Sequence, residues 1–293
     1  MKVEQVKALP PKGRFLYWVK ERQQILLKRR AGKPKPWTND EVLSSYYFTN
    51  VQRENDKVTT WFRDNIRDPL KSSQDVVFAT IAFRWFNWPE TGEQLLKQPT
   101  DTSHGAFTDW KLDMVKSKLH GLKEHGAKVF TGAFTISNGG STKSKIDRVC
   151  DDYIQPAWNI RGELYQDLVS RPRMSASFDR IKVFPGFGGS GFMAAQVICD
   201  LAYTHVLQDA PDWWTWCSWG PGSKKGMNKV FGFDESHSMS KPEWHKNLEY
   251  LRQLISKKLG MNLHARDVQS CCCEFSKYER GLQGTGRLKR RYP

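Results

Sequence analysis

The sequence predicts a mainly α fold with little or no sheet. Apolar residues recur at helical spacing along most of the chain, and glycine or proline separates the segments that show this pattern. The most strand-like stretch, 126–138, stands alone and contains two glycines, which favours an extended loop or a short helix. Hydrophobic residues make up 39% of the 293 residues and aromatic residues 13%, which suffices for a packed core and excludes a chain that is disordered throughout.

The chain begins with a predicted basic arm, 1–40, that contains a helix. Apolar residues at helical spacing run from Phe15 to Leu27, and Ala31–Pro36 breaks the pattern. Thr38–Glu41 offers an N-cap followed by an acidic residue, so a second helix is expected to begin there.

A single helical body is predicted over 41–280, with two lobes and a hairpin near 180–200. A basic tail follows over 281–293. Apolar spacing indicates further helices in the body at 52–66, 72–86, 90–98, 108–124, 144–161, 164–171, 192–207, 225–230, 243–259 and 265–278.

The charge balance indicates a polyanionic partner. Lys and Arg number 46 against 31 Asp and Glu, a formal net charge of +15. Such an excess suits nucleic-acid phosphates, whose neutralisation releases counterions, although a solvated basic surface is the alternative. No apolar stretch reaches the ~20 residues of a membrane span, and no apolar segment follows the first charges at the N-terminus. We therefore expect a cytoplasmic protein with no membrane partner.

The six cysteines show no pair of C-x-x-C motifs, which argues against a zinc ribbon or an iron–sulfur loop. We expect reduced thiols, at least two of them in the core.

A glycine-rich turn, Gly186-x-Gly188-x-x-Gly191, leads into an apolar helix. The pattern matches a dinucleotide fingerprint, but no strand–helix–strand unit surrounds it, which argues against a nicotinamide cofactor. No P-loop motif is present, so the chain is not expected to be a kinase by itself. The helical context instead predicts a helix–hairpin–helix, whose backbone N–H groups suit a phosphate. The hairpin resembles that of DNA glycosylases, which implies that Gly186, Gly188 and Gly191 bind a DNA phosphate, together with Arg29 and Arg30 of the basic arm.

A tryptophan-rich segment follows and predicts a catalytic centre. Asp212 precedes Trp213 and Trp214, and Asp209 lies just before them. A carboxylate beside an aromatic wall is desolvated and becomes a better general base, so Asp212 or Asp209 is the candidate base. The alternative is a tryptophan-rich core patch with a basic surface turn.

A cationic glycine turn comes directly after this segment. Gly222, Ser223, Lys224 and Lys225 lie at an expected helix start, where N–H groups and two cations would cradle a pyrophosphate.

Two further blocks are candidates for a substrate pocket. Asn50, Arg53 and Asp56 fall within two helical turns, and Glu274 lies one turn before Lys277 and Tyr278. Side chains at this spacing could bind a polar ligand together, although charge pairs at this spacing usually lie on the solvated face of a helix.

Six blocks in order, 48–56, 83–87, 132–134, 185–194, 220–226 and 273–278, resemble the α-glutamyl/putrescinyl-thymine pyrophosphorylase family. Its domain is also known as the helical domain of hydroxymethyl-deoxyuridine DNA kinases, and it is related to helix–hairpin–helix DNA glycosylases. The resemblance implies a glycosylase-like helical fold and adds Arg84 to the pocket. The lysine that bifunctional glycosylases carry just after the hairpin is missing here, since Gly189, Ser190 and Gly191 occupy that place.

The resemblance implies an amino acid:DNA transferase of thymidine hypermodification, acting in the cytoplasm of an infected bacterial host. Such an enzyme displaces pyrophosphate from pyrophosphorylated 5-hydroxymethyluracil in DNA by an amine, which is glycine, glutamate or putrescine. The implied partners are double-stranded DNA with a modified thymine, a free amino acid or polyamine, and a P-loop DNA kinase.

No cofactor is identified from the sequence. Two cation sites stay open as expectations, a monovalent ion at the hairpin and a divalent metal with the pyrophosphate. The alternatives to transfer are a DNA glycosylase that excises a modified pyrimidine and a non-catalytic DNA-binding subunit of a base-modifying complex.

Overall fold

The computed structural model describes residues 3–134, 136, 140–286, 288 and 291–292. In this part of the chain the only β-type pairing is an isolated bridge between Tyr46 and Arg291, so the predicted mainly α fold is confirmed. The helices are α1 (Val3–Lys7), α2 (Pro11–Arg30), α3 (Glu41–Ser45), α4 (Lys57–Phe62), α5 (Asp75–Phe86), α6 (Pro89–Leu96), α7 (Leu112–Glu124), α8 (Lys145–Asp147), α9 (Gln155–Asn159), α10 (Arg161–Ser170), α11 (Met174–Lys182), α12 (Phe192–Leu201), α13 (Pro221–Phe231), α14 (Lys241–Leu259) and α15 (Ala265–Gln283). Tighter or wider helical turns occur at Arg53–Asn55, Arg63–Arg67, Gly105–Phe107 and Arg148–Ile154.

The chain divides into two compact units, each with its own hydrophobic core. Unit 1 comprises Met1–Asp56 and Cys217–Pro293, and unit 2 comprises Lys57–Trp216. The predicted limits at residues 40 and 280 stay predictions.

Helix α2 belongs to the core of unit 1. Its buried stripe includes Phe15, Trp18, Val19 and Ile25, a spacing that places them on one face of the helix. The helix predicted in the basic arm is therefore confirmed, but the structure packs it into a core and does not leave it as a projecting arm.

Helices α13 and α15 pack very closely in unit 1, because glycine lies at their contact. A Cβ atom added to Gly226 would lie 1.8 Å from the carbonyl oxygen of Cys272. One added to Gly222 would lie 2.7 Å from the Sγ atom of Cys273. Only glycine permits this approach, which holds the start of α13 against α15.

Unit 2 is built around α5, in which every residue from Val76 to Phe86 is buried. Helices α11 and α12 enclose the glycine-rich turn, so the helix that directly precedes the turn is α11. The described part of 126–138 contains neither helix nor strand, which agrees with the predicted extended loop. Residues 135, 137 and 138 lie outside the described residues.

None of the six cysteines, all of which the structure describes, lies in a disulfide, and Cys150, Cys217, Cys271 and Cys272 are buried, which confirms the predicted core thiols. Among the described residues, no helix combines the length and the apolar character needed to cross a bilayer. Residues 287, 289, 290 and 293 of the predicted basic tail lie outside the described residues.

Candidate functional site

Three predicted pocket residues, Asn50, Arg53 and Asp56, lie together in unit 1. The backbone N–H of Asn50 donates to Oδ1 of Asp56 at 2.8 Å, and Nδ2 of Asn50 donates to the carbonyl oxygen of Asn55 at 2.6 Å. Arg53 forms an ion pair with the other oxygen of Asp56. The polar side chains of residues 50–56 thus bond to one another and to the backbone of the same segment, so the segment is not a solvated helix face.

Helix α15 completes this cluster from the other end of the chain. Glu274 accepts a hydrogen bond from the backbone N–H of Thr49 at 3.3 Å, and Asp267 accepts one from that of Arg53 at 2.9 Å. Lys277 forms an ion pair with Glu274. The structure therefore brings together five residues that the sequence predicted for the pocket, across separations of more than 200 positions; we call them, with Arg22 and Asp267, the charged cluster.

Arg22 is a member of the charged cluster that the sequence analysis missed. It is fully buried on α2, where Nε donates to the carbonyl oxygens of Phe48 and Thr49 and Nη2 donates to Oδ1 of Asn50 at 2.7 Å. Its Nη1 atom and the hydroxyl of Thr49 are buried and have no hydrogen-bond partner within the described part of the chain. The available signal was its position on the apolar stripe of α2, where an arginine needs buried acceptors.

The electrostatics of the cluster follow from burial. Burial raises the pKa of Asp56 even though Arg53 and the N–H of Asn50 oppose the shift. Burial likewise raises the pKa of Asp267, against the effect of Arg266. Burial lowers the pKa of Arg53, but Asp56 and Glu274 outweigh this effect and the net shift is upward. The site combines a carboxylate with raised proton affinity and fixed cations, which suits a ligand that carries both an amine and an anionic group.

Tyr278 does not join this cluster. It is fully buried and its hydroxyl donates to Oδ2 of Asp40, the N-cap residue of α3, at 2.6 Å. Its ring packs against Phe48 and Phe275. The structure thus places the tyrosine in the core of unit 1, one helical position away from Lys277.

The predicted pyrophosphate turn forms the start of α13, also in unit 1. Nζ of Lys224 lies 3.4 Å from the centre of the Trp219 ring, and Lys225 is exposed with Nζ 3.7 Å from Glu235. The hydroxyl of Ser223 donates to the carbonyl oxygen of Gly220. The turn reaches α15 through the contact of Gly222 with Cys273, the residue before Glu274. A helix start with two lysines therefore adjoins the part of α15 that carries the charged cluster.

Asp212, the predicted base, has both carboxylate oxygens engaged within unit 2. Oδ1 accepts from the backbone N–H of Met174 at 2.8 Å, and Oδ2 accepts from the N–H and the hydroxyl of Ser175 at 3.0 and 2.8 Å. Met174 and Ser175 begin α11, and Arg173 supplies no side-chain cap. Asp212 therefore caps the helix that leads into the glycine-rich turn.

The other predicted residues of the tryptophan-rich segment lie nearer the surface. Asp209 is exposed and accepts a long hydrogen bond, 3.4 Å, from Gln208. Trp213 donates to the carbonyl oxygen of Ala202 and packs edge-on against Trp214, which is 48% exposed. The segment is not a buried core patch.

The predicted phosphate-binding turn has the backbone that its glycines suggest. Gly186 has φ +82°, and a Cβ there would lie 2.7 Å from the Tyr153 ring and 2.8 Å from that of Trp85. Gly191 has φ +69° and is the N-cap residue of α12. Gly188 is exposed. The geometry is compatible with backbone binding of a phosphate at the start of α12, and DNA binding by the turn stays a prediction.

Arg84, a predicted pocket residue, lies in the interior of unit 2. It forms a buried ion pair with Asp200, to which Nη2 donates at 2.8 Å, and Nη1 donates to Oδ1 of Asn87 at 2.7 Å. Both side chains of the pair are less than 5% exposed. The sequence signal for Asp200 was an acid on the apolar face of α12.

Arg29 and Arg30 lie at the exposed end of α2 in unit 1. Arg30 donates to Oδ1 of Asn55 at 2.7 Å, and the Arg29 guanidinium lies over the Trp37 ring. Among the described residues, no three His, Cys, Asp or Glu side chains are grouped so as to hold a metal ion. The expected cations at the hairpin and with the pyrophosphate stay predictions.

Comparison with known proteins identifies one family and one relative. The family model described as "5-hmdU DNA kinase, helical domain" matches residues 12–286, which confirms the predicted resemblance to the helical domain of these kinases. The resemblance to the α-glutamyl/putrescinyl-thymine pyrophosphorylases stays a prediction. A protein of Bacillus phage SP10 named 5-hmdU DNA kinase is 30% identical over 285 residues, with 88% of this chain and 43% of that protein covered. The chain thus spans less than half the length of this relative. No solved structure matches.

Proposed function

This chain belongs to the family of 5-hmdU DNA kinase helical domains, and we propose that it acts on hydroxymethyluracil in DNA as an amino acid:DNA transferase. Its substrate would be pyrophosphorylated 5-hydroxymethyluracil in double-stranded DNA. An amine, either an amino acid such as glycine or glutamate or the polyamine putrescine, would replace the pyrophosphate. The α-glutamyl/putrescinyl-thymine pyrophosphorylases resembled by the six sequence blocks supply this hypothesis.

The reaction needs a base, a charge-stabilising site and a positioned amine. The amine nitrogen forms a bond to the 5-methylene carbon while the bond from that carbon to the pyrophosphate oxygen breaks. Pyrophosphate leaves with the electron pair, and the new ammonium group gives up a proton. The modified base would leave the DNA stack, at a cost of about a few kcal/mol, so that its 5-substituent can meet both groups.

The charged cluster supports this chemistry best. Asp56 has a raised pKa and Glu274 is buried, so either carboxylate could take the proton of the amine. Arg53 and Lys277 would hold the anionic group of an amino acid, and their side chains are 25% and 45% exposed, enough for a ligand to reach them.

The cationic start of α13 would hold the leaving pyrophosphate. Its first backbone N–H groups, with Lys224 and Lys225, offer donors and positive charge where negative charge develops as the bond breaks. The glycine-rich turn of unit 2 would bind the DNA backbone, with Asp212 holding the preceding helix in place.

The observation that carries the proposal is the assembly of Asn50, Arg53, Asp56, Glu274 and Lys277 into one cluster of both charge signs. A kinase reaction would instead need a site for a nucleoside triphosphate, and the P-loop pattern does not occur in the 293 residues. The phage relative is named a kinase, but the match covers 43% of it and so does not assign that activity to the matched part.

The test is to incubate the chain with DNA that carries pyrophosphorylated hydroxymethyluracil and a panel of isotope-labelled amines. Nucleoside mass analysis and pyrophosphate release are then measured. Incorporation of an amine with an equal amount of pyrophosphate supports transfer. Release of a free base would show a glycosylase, and binding without either product would show a non-catalytic subunit; each result would overturn the proposal.

Two variants localise the chemistry to the charged cluster. Glu274→Gln and Lys277→Gln are expected to lower transfer by about 10²-fold or more. Glu274→Gln removes a proton acceptor for the amine, and Lys277→Gln removes a cation that holds the anionic group of the amino acid. Glu41→Gln, at an exposed position of α3, is the matched control and should keep full activity. Equal activity of all three variants would exclude the cluster as the site.

A further inference from the structure

An arginine lies beside the glycine-rich turn of unit 2. Nε of Arg148 donates to the hydroxyl of Tyr153 at 2.5 Å, and the guanidinium lies 5.4 Å from the centre of the same ring. The Tyr153 ring in turn lies 2.7 Å from the position that a Cβ atom of Gly186 would take. Tyr153 therefore connects Arg148 to the turn.

A π-helical turn brings Arg148 and Tyr153 together. The segment Arg148–Ile154 is wound with hydrogen bonds between residues five positions apart, and the N–H of Gln155 accordingly donates to the carbonyl oxygen of Cys150. In an α-helix, side chains five positions apart point about 140° away from each other. The wider turn instead places positions 148 and 153 on one side. Insertions of this kind are frequent at functional sites.

The positive charge of Arg148 is not neutralised by a carboxylate of the described residues, among which the arginine forms no ion pair. The three aspartates of the same stretch have other cations as partners, namely Lys116 for Asp147 and Asp151, and Lys143 for Asp152. The tyrosine hydroxyl holds the guanidinium in place and leaves its charge unchanged. Arg148 thus offers a positioned positive charge.

The same place has more hydrogen-bond donors than the protein satisfies. Trp85 is 2% exposed, and its Nε1 atom has no hydrogen-bond partner within the described residues. The edge of the indole that carries Nε1 also carries Cζ2, which lies 2.8 Å from the Cβ position of Gly186, so this donor lies next to the turn. The Trp85 ring stacks on that of Tyr153 at 4.5 Å. Unsatisfied buried donors of this kind point to a ligand with acceptor oxygens.

Arg148 contributes both a buried and an accessible donor. The side chain is half-buried, and of its nitrogen atoms only Nη1 is buried without a partner among the described residues, so Nη2 is open to solvent. The turn itself leaves room for a large ligand, because nothing lies within 4 Å of a Cβ position at Gly188 or Gly189. A DNA phosphate offers negatively charged oxygens to such donors, and the net charge of +15 suits this partner.

We propose that Arg148 binds DNA and shares one backbone phosphate with the glycine-rich turn. Nη2 of Arg148 donates to one non-bridging oxygen, and backbone N–H groups of the turn donate to the other. The sequence did not predict Arg148 as DNA-binding, because its position beside the turn depends on the π-helical winding. The inference rests on the proposed function in that DNA is the substrate and the turn contacts it, but it requires no amine transfer.

The experiment measures binding of a fluorescently labelled, unmodified DNA duplex by polarisation between about 50 and 200 mM salt. Each phosphate contact contributes about −0.9 to the slope of log affinity against log salt, so Arg148→Gln should have a slope shallower by about 0.9. Over this fourfold range of salt, the wild-type protein should therefore lose about 3.5-fold more affinity than the variant.

The matched control is Arg161→Gln, which removes an exposed arginine of the same unit. Its guanidinium lies 3.8 Å from the centre of the Trp158 ring, and that ring packs on Phe78 of α5. The control should keep the wild-type slope. Arg148→Lys keeps the charge and should also keep the slope, with weaker affinity because the planar guanidinium is lost. A slope as shallow in Arg148→Lys as in Arg148→Gln would contradict a charge contact. Circular dichroism establishes that each variant is folded.

A second measurement follows the buried indole. The Nε1–H resonance of Trp85 is the one that Trp85→Phe removes from the ¹⁵N–¹H spectrum. In the wild-type protein it should shift when the duplex is added, because a phosphate charge then lies beside it. A resonance that stays in place at saturating duplex would overturn the inference.

The inference is also overturned if Arg148→Gln matches the Arg161→Gln control in slope. Because the duplex is unmodified and no amine is added, failure of the transfer assay leaves this result unaffected. Conversely, transfer activity together with an unchanged slope in Arg148→Gln would refute the phosphate contact while the proposed function stands.

Discussion

Asp212 gives the sharpest test, because two roles for it predict opposite results. As a general base, it should be required for turnover but not for DNA affinity or stability. As the cap of α11, it should be required for stability and for the position of the glycine-rich turn. The three hydrogen bonds that its two oxygens accept from Met174 and Ser175 favour the second role.

The expected magnitude follows from those contacts. Loss of a capping side chain costs about 0.5–2 kcal/mol, and loss of a negative charge at a helix N-terminus costs about 0.3–1 kcal/mol. Asp212→Ala should therefore lower the free energy of unfolding by about 1–3 kcal/mol. Asp212→Asn keeps one acceptor oxygen and should lose less. Urea denaturation measures the change, and hydrogen exchange of the Ser175 amide reports whether α11 has loosened.

Asp209→Ala is the matched control, since this neighbouring carboxylate is exposed and accepts only a long bond from Gln208 among its described contacts. If Asp212 acts as the cap of α11, Asp212→Ala should weaken DNA binding, and turnover at saturating DNA should persist. If Asp212→Ala instead leaves the free energy of unfolding within about 0.5 kcal/mol and abolishes turnover at saturating DNA, the capping argument is refuted and Asp212 is the base.

Three other substitutions test the packing of each unit. Arg84→Met leaves the carboxylate of Asp200 buried without its partner and should cost about 3–5 kcal/mol in urea unfolding, whereas Arg84→Met with Asp200→Leu should recover most of that loss. Gly226→Ala places a Cβ atom 1.8 Å from a carbonyl oxygen of α15, so we expect a loss of about 2 kcal/mol or more; a wild-type melting temperature would contradict the close packing. The hydroxyl of Ser144 is the largest of the effects that lower the pKa of Asp147 to about 2. A lowered pKa stabilises the fold above the unfolded-state value near 4, and this contribution is lost as pH falls through about 2, so Asp147→Asn should flatten the loss of stability between these values, as measured by urea unfolding at each pH.

Local sequence patterns predicted those helices well whose position depends mainly on the residues within them. The stripe of α2 and the largely apolar α5 follow from the local sequence pattern. The helix predicted at 192–207 ends at Leu201, and the hydroxyl of Thr204 bonds the Leu201 carbonyl oxygen at 2.8 Å, a local alternative to the helical bond. Helix α13 begins four residues earlier than predicted, with Pro221 in its first turn, a position that proline favours.

The roles of individual site residues could not be predicted in the same way, because they depend on distant partners. Asp212 is 37 and 38 positions from the residues that it contacts. Glu274 and Lys277 look like a surface pair by spacing, yet Glu274 is buried because Thr49 packs against it from the other end of the chain. Arg84 was predicted as a pocket residue, and only its contact with Asp200 shows that its charge is already paired with a buried carboxylate.

The unpaired groups of the charged cluster connect its stability to its function. A buried donor without an acceptor costs about 1–3 kcal/mol, and two donors at the cluster have no partner among the described residues: Nη1 of Arg22 and the hydroxyl of the adjoining Thr49. These two donors lie near Arg53, Asp56 and Glu274, which are held in place by their own contacts. An anionic or hydroxyl-bearing ligand would offset the cost by accepting from both donors, so substrate binding should stabilise unit 1 as well as position the amine.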